Sequence, residues 1–179
     1  MLDFTFIAPT LNVSTDICVV NLEKHLHQDV FTGDSQKLHL HILVVARQLE
    51  LLARRILHPH GITPPQYNVL RILRGQKGHP IAVQSLAARM VDPSSNTSRI
   101  VDKLVDKGWA DRQVCPTDRR RADVLITENG LSLLQGLDTP MSVLFSNTMA
   151  GLSKHQLTAL NAGLAQVLNN TDDELEQHS

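Results

Sequence analysis

Residues 92–127 constrain this chain more than any other stretch. A segment marked at both ends as a helix runs from Asp92-Pro93 to Gly108, and the short alternating stretches Ala110–Cys115 and Ala122–Thr127 then flank the polar sequence Pro116-Thr117-Asp118-Arg119-Arg120-Arg121. Asp and Pro suit the N-cap and first helical positions and Gly suits the left-handed position after the last turn, which predicts a helix of about 15 residues. Period-two alternation on both sides of a polar tip marks a β-hairpin. At about 100° per residue, Thr97, Ile100, Val101 and Leu104 project to one side of the helix, and Ser95, Asn96, Arg99 and Lys103 to the other. One side is built to pack and the other to stay free.

The flanking segments are helical. Leu38, Ile42, Val45, Leu49, Leu52 and Ile56 repeat at spacings of four and three, which predicts a helix of about 20 residues packing against a similar one, in its own chain or in a second copy. Pro59 and Gly61 stop it, and Thr63-Pro64-Pro65 caps a shorter helix with Tyr67, Leu70, Ile72 and Leu73 on its apolar side, ending at Gly75. After a turn to Pro80, Val83, Leu86, Ala87 and Met90 predict about two helical turns. Beyond the hairpin, Leu131, Leu134, Leu137, Met141 and Leu144 mark a long helix that Pro140 is placed to bend, and Leu157, Leu160, Leu164 and Leu168 mark a last one. The order of helix, two short helices, capped helix and basic hairpin is that of a winged helix-turn-helix. The predicted fold is mainly α with a small β-wing. Its expected parts are an N-terminal arm (1–35, with a helix within 15–30), long helices at 36–58 and 128–170, a winged lobe at 62–127 and a tail at 171–179.

Charge is segregated along this frame. Residues 36–121 hold fifteen Lys and Arg against six Asp and Glu, whereas the flanks hold two against twelve. A basic middle between acidic ends is the distribution expected where the middle meets phosphate. The net charge of −1 hides it. The six aromatic residues are too few for a base-stacking RNA platform. Two cysteines, Cys18 and Cys115, cannot make a disulfide framework or a four-cysteine zinc site, and no apolar run approaches the roughly 18 residues of a membrane span. The N-terminus MLDFTFIAPT lacks the basic residues of a signal peptide, so a cytoplasmic protein is expected. No phosphate-binding glycine loop, HExxH or nucleophile elbow is present, and Gly75-Gln76-Lys77-Gly78 is too short to serve as one. No catalysis, resident metal or cofactor is expected.

The free side of the capped helix carries residue types suited to the DNA major groove, where Asn pairs with adenine and Arg with guanine. Arg119, Arg120 and Arg121 repel one another at a hairpin tip unless phosphate neutralises them, and a projecting arginine suits the narrow minor groove. Asp118 is expected to hold the loop, by turn capping or by an ion pair with Arg112 or a neighbouring arginine. Arg112 either makes that pair or meets DNA.

Ile62-Thr63-Pro64-Pro65-Gln66-Tyr67, Ser98-Arg99-Ile100-Val101-Asp102-Lys103-Leu104-Val105-Asp106-Lys107-Gly108, and Asp118-Arg119-Arg120 followed by Ile126-Thr127-Glu128-Asn129-Gly130 resemble the MarR family of bacterial transcriptional regulators over roughly residues 36–170. The resemblance implies a homodimer on a pseudo-palindromic double-stranded operator, with Leu38, Ile42, Val45, Leu49, Leu157, Leu160 and Leu164 at the dimer contact. It implies Ser94, Ser95, Asn96, Thr97, Arg99 and Lys103 as recognition contacts, joined by Arg112, Arg119, Arg120 and Arg121, with Arg120 as the wing-tip arginine. It implies a small organic effector in a cleft walled by Tyr67, Leu70 and Leu134, and a repressor as the commoner outcome. The alternatives are a redox-responsive regulator using Cys18, a zinc-responsive one using Glu23 with His27 or His25 with Asp29, or a winged-helix protein-interaction module without DNA binding. A 35-residue N-terminal arm and Trp109 depart from the family pattern.

Overall fold

The computed structural model describes residues 22–28, 30–92, 95–114 and 122–178. Two compact units divide the chain after Ala46. In the first, helix α1 (Leu22–Leu26) precedes helix α2 (Asp34–Leu57), which continues into the second unit. Leu22 is buried, and Lys37 Nζ donates to Glu23 Oε1 at 2.6 Å while lying 5.6 Å from the Phe31 ring centroid. That ammonium holds the Glu23 carboxyl below its ordinary pKa. Of the helix expected within 15–30, only Leu22–Leu26 falls among the described residues as helix. No group of three or more His, Cys, Asp or Glu among the described residues is placed to hold a metal.

The second unit contains helices α3 (Pro64–Gly75), α4 (Val83–Ala87), α5 (Thr97–Asp106), α6 (Glu128–Thr148) and α7 (Lys154–Gln177), with strands β1 (Ile81–Ala82), β2 (Ala110–Val114) and β3 (Ala122–Ile126). Thr63 caps α3: its hydroxyl accepts from Gln66 N while the Gln66 side chain accepts from Thr63 N, satisfying two end donors at once. α4 is shorter than its apolar spacing predicts. After Ala87 the chain tightens through Arg89 N to Leu86 O and Met90 N to Ala87 O, both 3.1 Å, and this buries Met90 without a further helical turn.

The sheet is antiparallel in the order β1-β3-β2. β2 and β3 pair from Ala110 with Ile126 to Val114 with Ala122, as the hairpin reading expects. β1 is a two-residue addition, Ile81 opposite Val124 and Ala82 opposite Asp123, with no sequence pattern of its own. Leu70, Leu73, Leu86, Leu104, Val124 and Leu134 meet in one buried cluster, so α3, α4, α5, the sheet and α6 share a core. Arg74 of α3 adds a two-pronged ion pair to Asp138 of α6 at 2.9 and 3.0 Å. α6 runs on through Pro140. α7 continues to Gln177, beyond the expected boundary at 170, because 171–177 contain no Gly or Pro and the Thr171 hydroxyl donates back to Leu168 O at 2.7 Å. No residue of α7 is buried. Among the described residues, no helix is long and apolar enough to cross a membrane.

The junction between α5 and α6 explains the glycine three residues after Thr127. Gly108 adopts φ of +68°, and Gly108 N and Trp109 N bond to Val105 O and Leu104 O at 2.8 and 2.9 Å, closing α5 in a Schellman motif. Thr127 then donates its hydroxyl to Gly108 O at 2.7 Å, accepts from Gly130 N at 3.1 Å and gives its own N–H to Trp109 O at 3.1 Å. A Cβ on Gly130 would lie 2.2 Å from Trp109 O and 2.8 Å from Ile126 Cγ1. Gly130→Ala should therefore destabilise the protein by about 2–3 kcal/mol and lower Tm by roughly 4–12 °C in thermal unfolding. Gly136→Ala, at an exposed helical site with open space around the glycine, should leave Tm unchanged or raise it.

Candidate nucleic-acid interface

α5 is ten residues long and begins later than the Asp92-Pro93 signal predicts. The cap is Asn96, whose Oδ1 accepts from Arg99 N at 3.1 Å. Asp92 is instead used in the preceding turn, where it accepts the Ser95 hydroxyl at 2.9 Å and its carbonyl accepts Ser95 N at 3.2 Å. Both Asp92 and Asn96 are good capping types, and the one that can reach an N–H two or three residues inside the helix wins. Ser95 and Asn96 therefore precede the helix rather than line its first turn. Asn96 is exposed, with its Oδ1 engaged as the cap.

The helix is two-faced, as its sequence predicts. Thr97, Val101 and Leu104 are buried, while Ser98, Arg99, Asp102 and Lys103 are exposed. Thr97 is a packing residue, 5% exposed, with its hydroxyl on Ser95 O at 3.3 Å; it does not present a side chain for contact. Arg99 and Lys103 open onto a concavity of about 330 Å³ lined by Thr63, Pro65, Gln66, Ser95, Asn96 and Ile100. Two cations thus face a hollow between the capped starts of α3 and α5. The contribution of Thr63, Pro65 and Gln66 escapes sequence reasoning, because the capping pattern at Thr63 signals a helix start without showing what it faces.

Arg112, on β2, turns to α5. Its Nη2 lies 2.7 Å from Asp102 Oδ1 and 3.3 Å from both the carbonyl and the hydroxyl oxygen of Ser98. Arg112 is thus engaged in an ion pair with the helix; the expected partner Asp118 lies outside the described residues. Beyond the C-terminus of α5, Lys107 donates to Gly61 O and lies 4.7 Å from the Trp109 ring centroid. Gly61 is itself left-handed, with φ of +67°. The departure at Trp109 thus supplies a flat face for a cation that ties the α3 approach to the end of α5.

Tyr67, Leu70 and Leu134, expected as cleft walls, belong to the buried core cluster, at 8%, 0% and 0% exposure. Their spacing marks burial, and burial against protein and burial against a ligand read alike in sequence. Ser94, Cys18, Cys115, Asp118 and the wing arginines Arg119, Arg120 and Arg121 lie outside the described residues.

A short-helix pair feeding a two-faced helix, backed by an antiparallel hairpin, defines a winged helix-turn-helix protein. A family model described as the MarR family matches residues 60–121. The chain is 30% identical over 106 residues to the HTH-type transcriptional regulator MhqR of Bacillus subtilis (strain 168), covering 59% of this chain and 72% of that protein. It is 27% identical over 144 residues to the transcriptional repressor MprA of Escherichia coli (strain K12), covering 79% and 81%. Among solved structures, a mutant MarR from E. coli complexed with operator DNA is similar with a TM-score of 0.67 and 26% identity, covering 78% of this chain and 99% of that one. AbsC of Streptomyces coelicolor shares the fold at a TM-score of 0.69 and 21% identity, covering 81% and 99%. The chain belongs to the MarR family of transcriptional regulators, and is a regulator rather than an enzyme.

Asn96→Ala should cost about 1 kcal/mol in denaturant unfolding because an end N–H of α5 loses its acceptor, whereas Asn96→Ser or Asn96→Asp should stay within about 0.5 kcal/mol of the parent.

Proposed function

We propose that this chain is a sequence-specific, double-stranded-DNA-binding repressor that acts as a homodimer on a pseudo-palindromic operator and is released by a small organic effector. The observation that carries the reading is the division of α5, with Val101 and Leu104 in the core and Arg99 and Lys103 exposed over a basic hollow. Such a helix enters the major groove with its N-terminal half toward the bases. Arg99 offers a planar fork to guanine O6 and N7, Asn96 Nδ2 a donor, and Lys103 a charge for phosphate. The wing arginines Arg119, Arg120 and Arg121 extend this contact into the flanking minor groove. MprA, named a repressor, and the operator-bound MarR structure both support the reading.

The dimer reading rests on α7. A 24-residue helix with no buried residue and with Leu160, Leu164 and Leu168 at 46%, 41% and 60% exposure leaves an apolar stripe that a second copy would cover. Leu157 lies on the same stripe, half-buried. On α2, Leu38 and Val45 are about half exposed as well, and Ile42 and Leu49 flank them half-buried. An effector would work by binding one spacing of the two recognition helices better than the other, since only a spacing near 34 Å meets successive major grooves. Its chemistry is that of a small organic molecule. A regulator of this kind works where the chromosome is, in the cytoplasm.

A duplex enriched from a random pool by the full chain should bind about a thousandfold more tightly than a scrambled duplex, with affinity falling steeply as salt rises. Arg99→Ala should cost about 1–3 kcal/mol on the enriched duplex and less on the scrambled one. Equal affinity for both duplexes would overturn the reading. In sedimentation equilibrium the chain should weigh twice its 19.9 kDa, and Leu160→Glu with Leu164→Glu should shift it to the monomer; a wild-type monomer at micromolar concentration would overturn the dimer.

A further inference from the structure

Asp102 is an anomaly on a surface meant for DNA. It is exposed, one residue before Lys103 and three after Arg99, where a bare carboxylate would repel the phosphates those cations attract. Arg112 answers it from outside the helix. Its guanidinium meets Asp102 Oδ1 at 2.7 Å and both oxygens of Ser98 at 3.3 Å, so one side chain grips two residues a helical turn apart. Its own backbone is well anchored: Arg112 sits opposite Val124 in the centre of the β2–β3 ladder, and Val124 is fully buried and pairs on its other side with Ile81 of β1.

We propose that Arg112 is a positioning residue for DNA reading: it fixes the rotation of α5 about its axis and masks Asp102, so that Arg99 and Lys103 are held in reading register. This rests on the DNA-binding function proposed above and assigns the wing strand a second task, as the brace of the recognition helix. Ser98 and Asp102 directly precede Arg99 and Lys103. Holding the first pair therefore sets the direction of the second. A free α5 surface would let the helix rock about its packed face, and discrimination between sequences would suffer before overall affinity did. A single guanidinium nitrogen, Nη2, makes all three contacts, the charged one to Asp102 being the shortest.

The test is a double-mutant cycle with the full chain, reading the ratio of affinities for the enriched duplex and its scrambled control at several salt concentrations. Arg112→Gln and Asp102→Asn should each lower that ratio about tenfold, and the double variant should lower it by no more than either alone, because both changes break one unit. The slope of log affinity against log salt should be the same in all four proteins, since no phosphate contact is lost. A slope shallower by about one unit in Arg112→Gln, whether or not Asp102 is present, would make Arg112 a direct phosphate ligand and overturn the proposal. Losses that multiply in the double variant would also overturn it. If Arg112→Gln fails to fold, Asp102→Asn alone decides: it should lower the ratio while holding or raising affinity for the scrambled duplex, and an unchanged ratio overturns the brace. A pool from which the wild-type chain enriches no duplex overturns the DNA-binding reading itself, an outcome distinct from enrichment with an uncoupled cycle.

Discussion

The second unit depends on the few ångströms where α5 ends and α6 begins. Thr127 is bonded there to four backbone groups, Gly108 O, Trp109 O, Gly130 N and Leu131 N, and Gly130 leaves the space that Trp109 O occupies. These bonds join the end of α5, the root of the β2–β3 hairpin and the start of the long helix α6. Each is worth only about 1 kcal/mol in isolation. Their importance is geometric: they set the angle at which the exposed face of α5 meets the outside. The Lys107 contacts to Gly61 O and the Trp109 ring extend the same junction to the approach of α3.

Along α5, polar groups divide between structural and free. Asn96, Asp92, Ser95, Thr97 and Arg112 are polar or charged, and each has a partner within the protein, as cap, turn, packed hydroxyl or ion pair. The cations next to them on α5, Arg99 and Lys103, stand exposed. Rigid aim matters because a bidentate base contact discriminates only when the fork arrives in plane. A surface of mobile lysines would give affinity without reading.

Much of the fold is legible along the chain. The capping box at Thr63, the glycine after α5 and the alternation around the hairpin each act over a few residues, so they survive without tertiary help. Errors arise where two local signals compete. Asp92 and Asn96 are equally good caps by type, and α4 and Met90 share a spacing that fits helix and turn alike. β1 is two residues long and exists only because β3 offers an edge. Tyr67, Leu70 and Leu134 show the same limit for the site: apolar spacing marks residues that leave water, and core and cleft leave the same mark.

The sequence by itself determined the kind of machine. Short-range physics, namely helix periodicity, end caps, strand alternation and the segregation of fifteen basic residues into 36–121, is written in neighbouring residues and needs no folded context. Tertiary structure alone decided which polar groups are spent and which are free. Arg112 finds Asp102 ten residues away, Arg74 finds Asp138 sixty-four away, and Thr63 joins Arg99 and Lys103 around one hollow. Those pairings depend on how helices and sheet pack against a shared core, and packing is a property of the whole chain that no window of sequence contains.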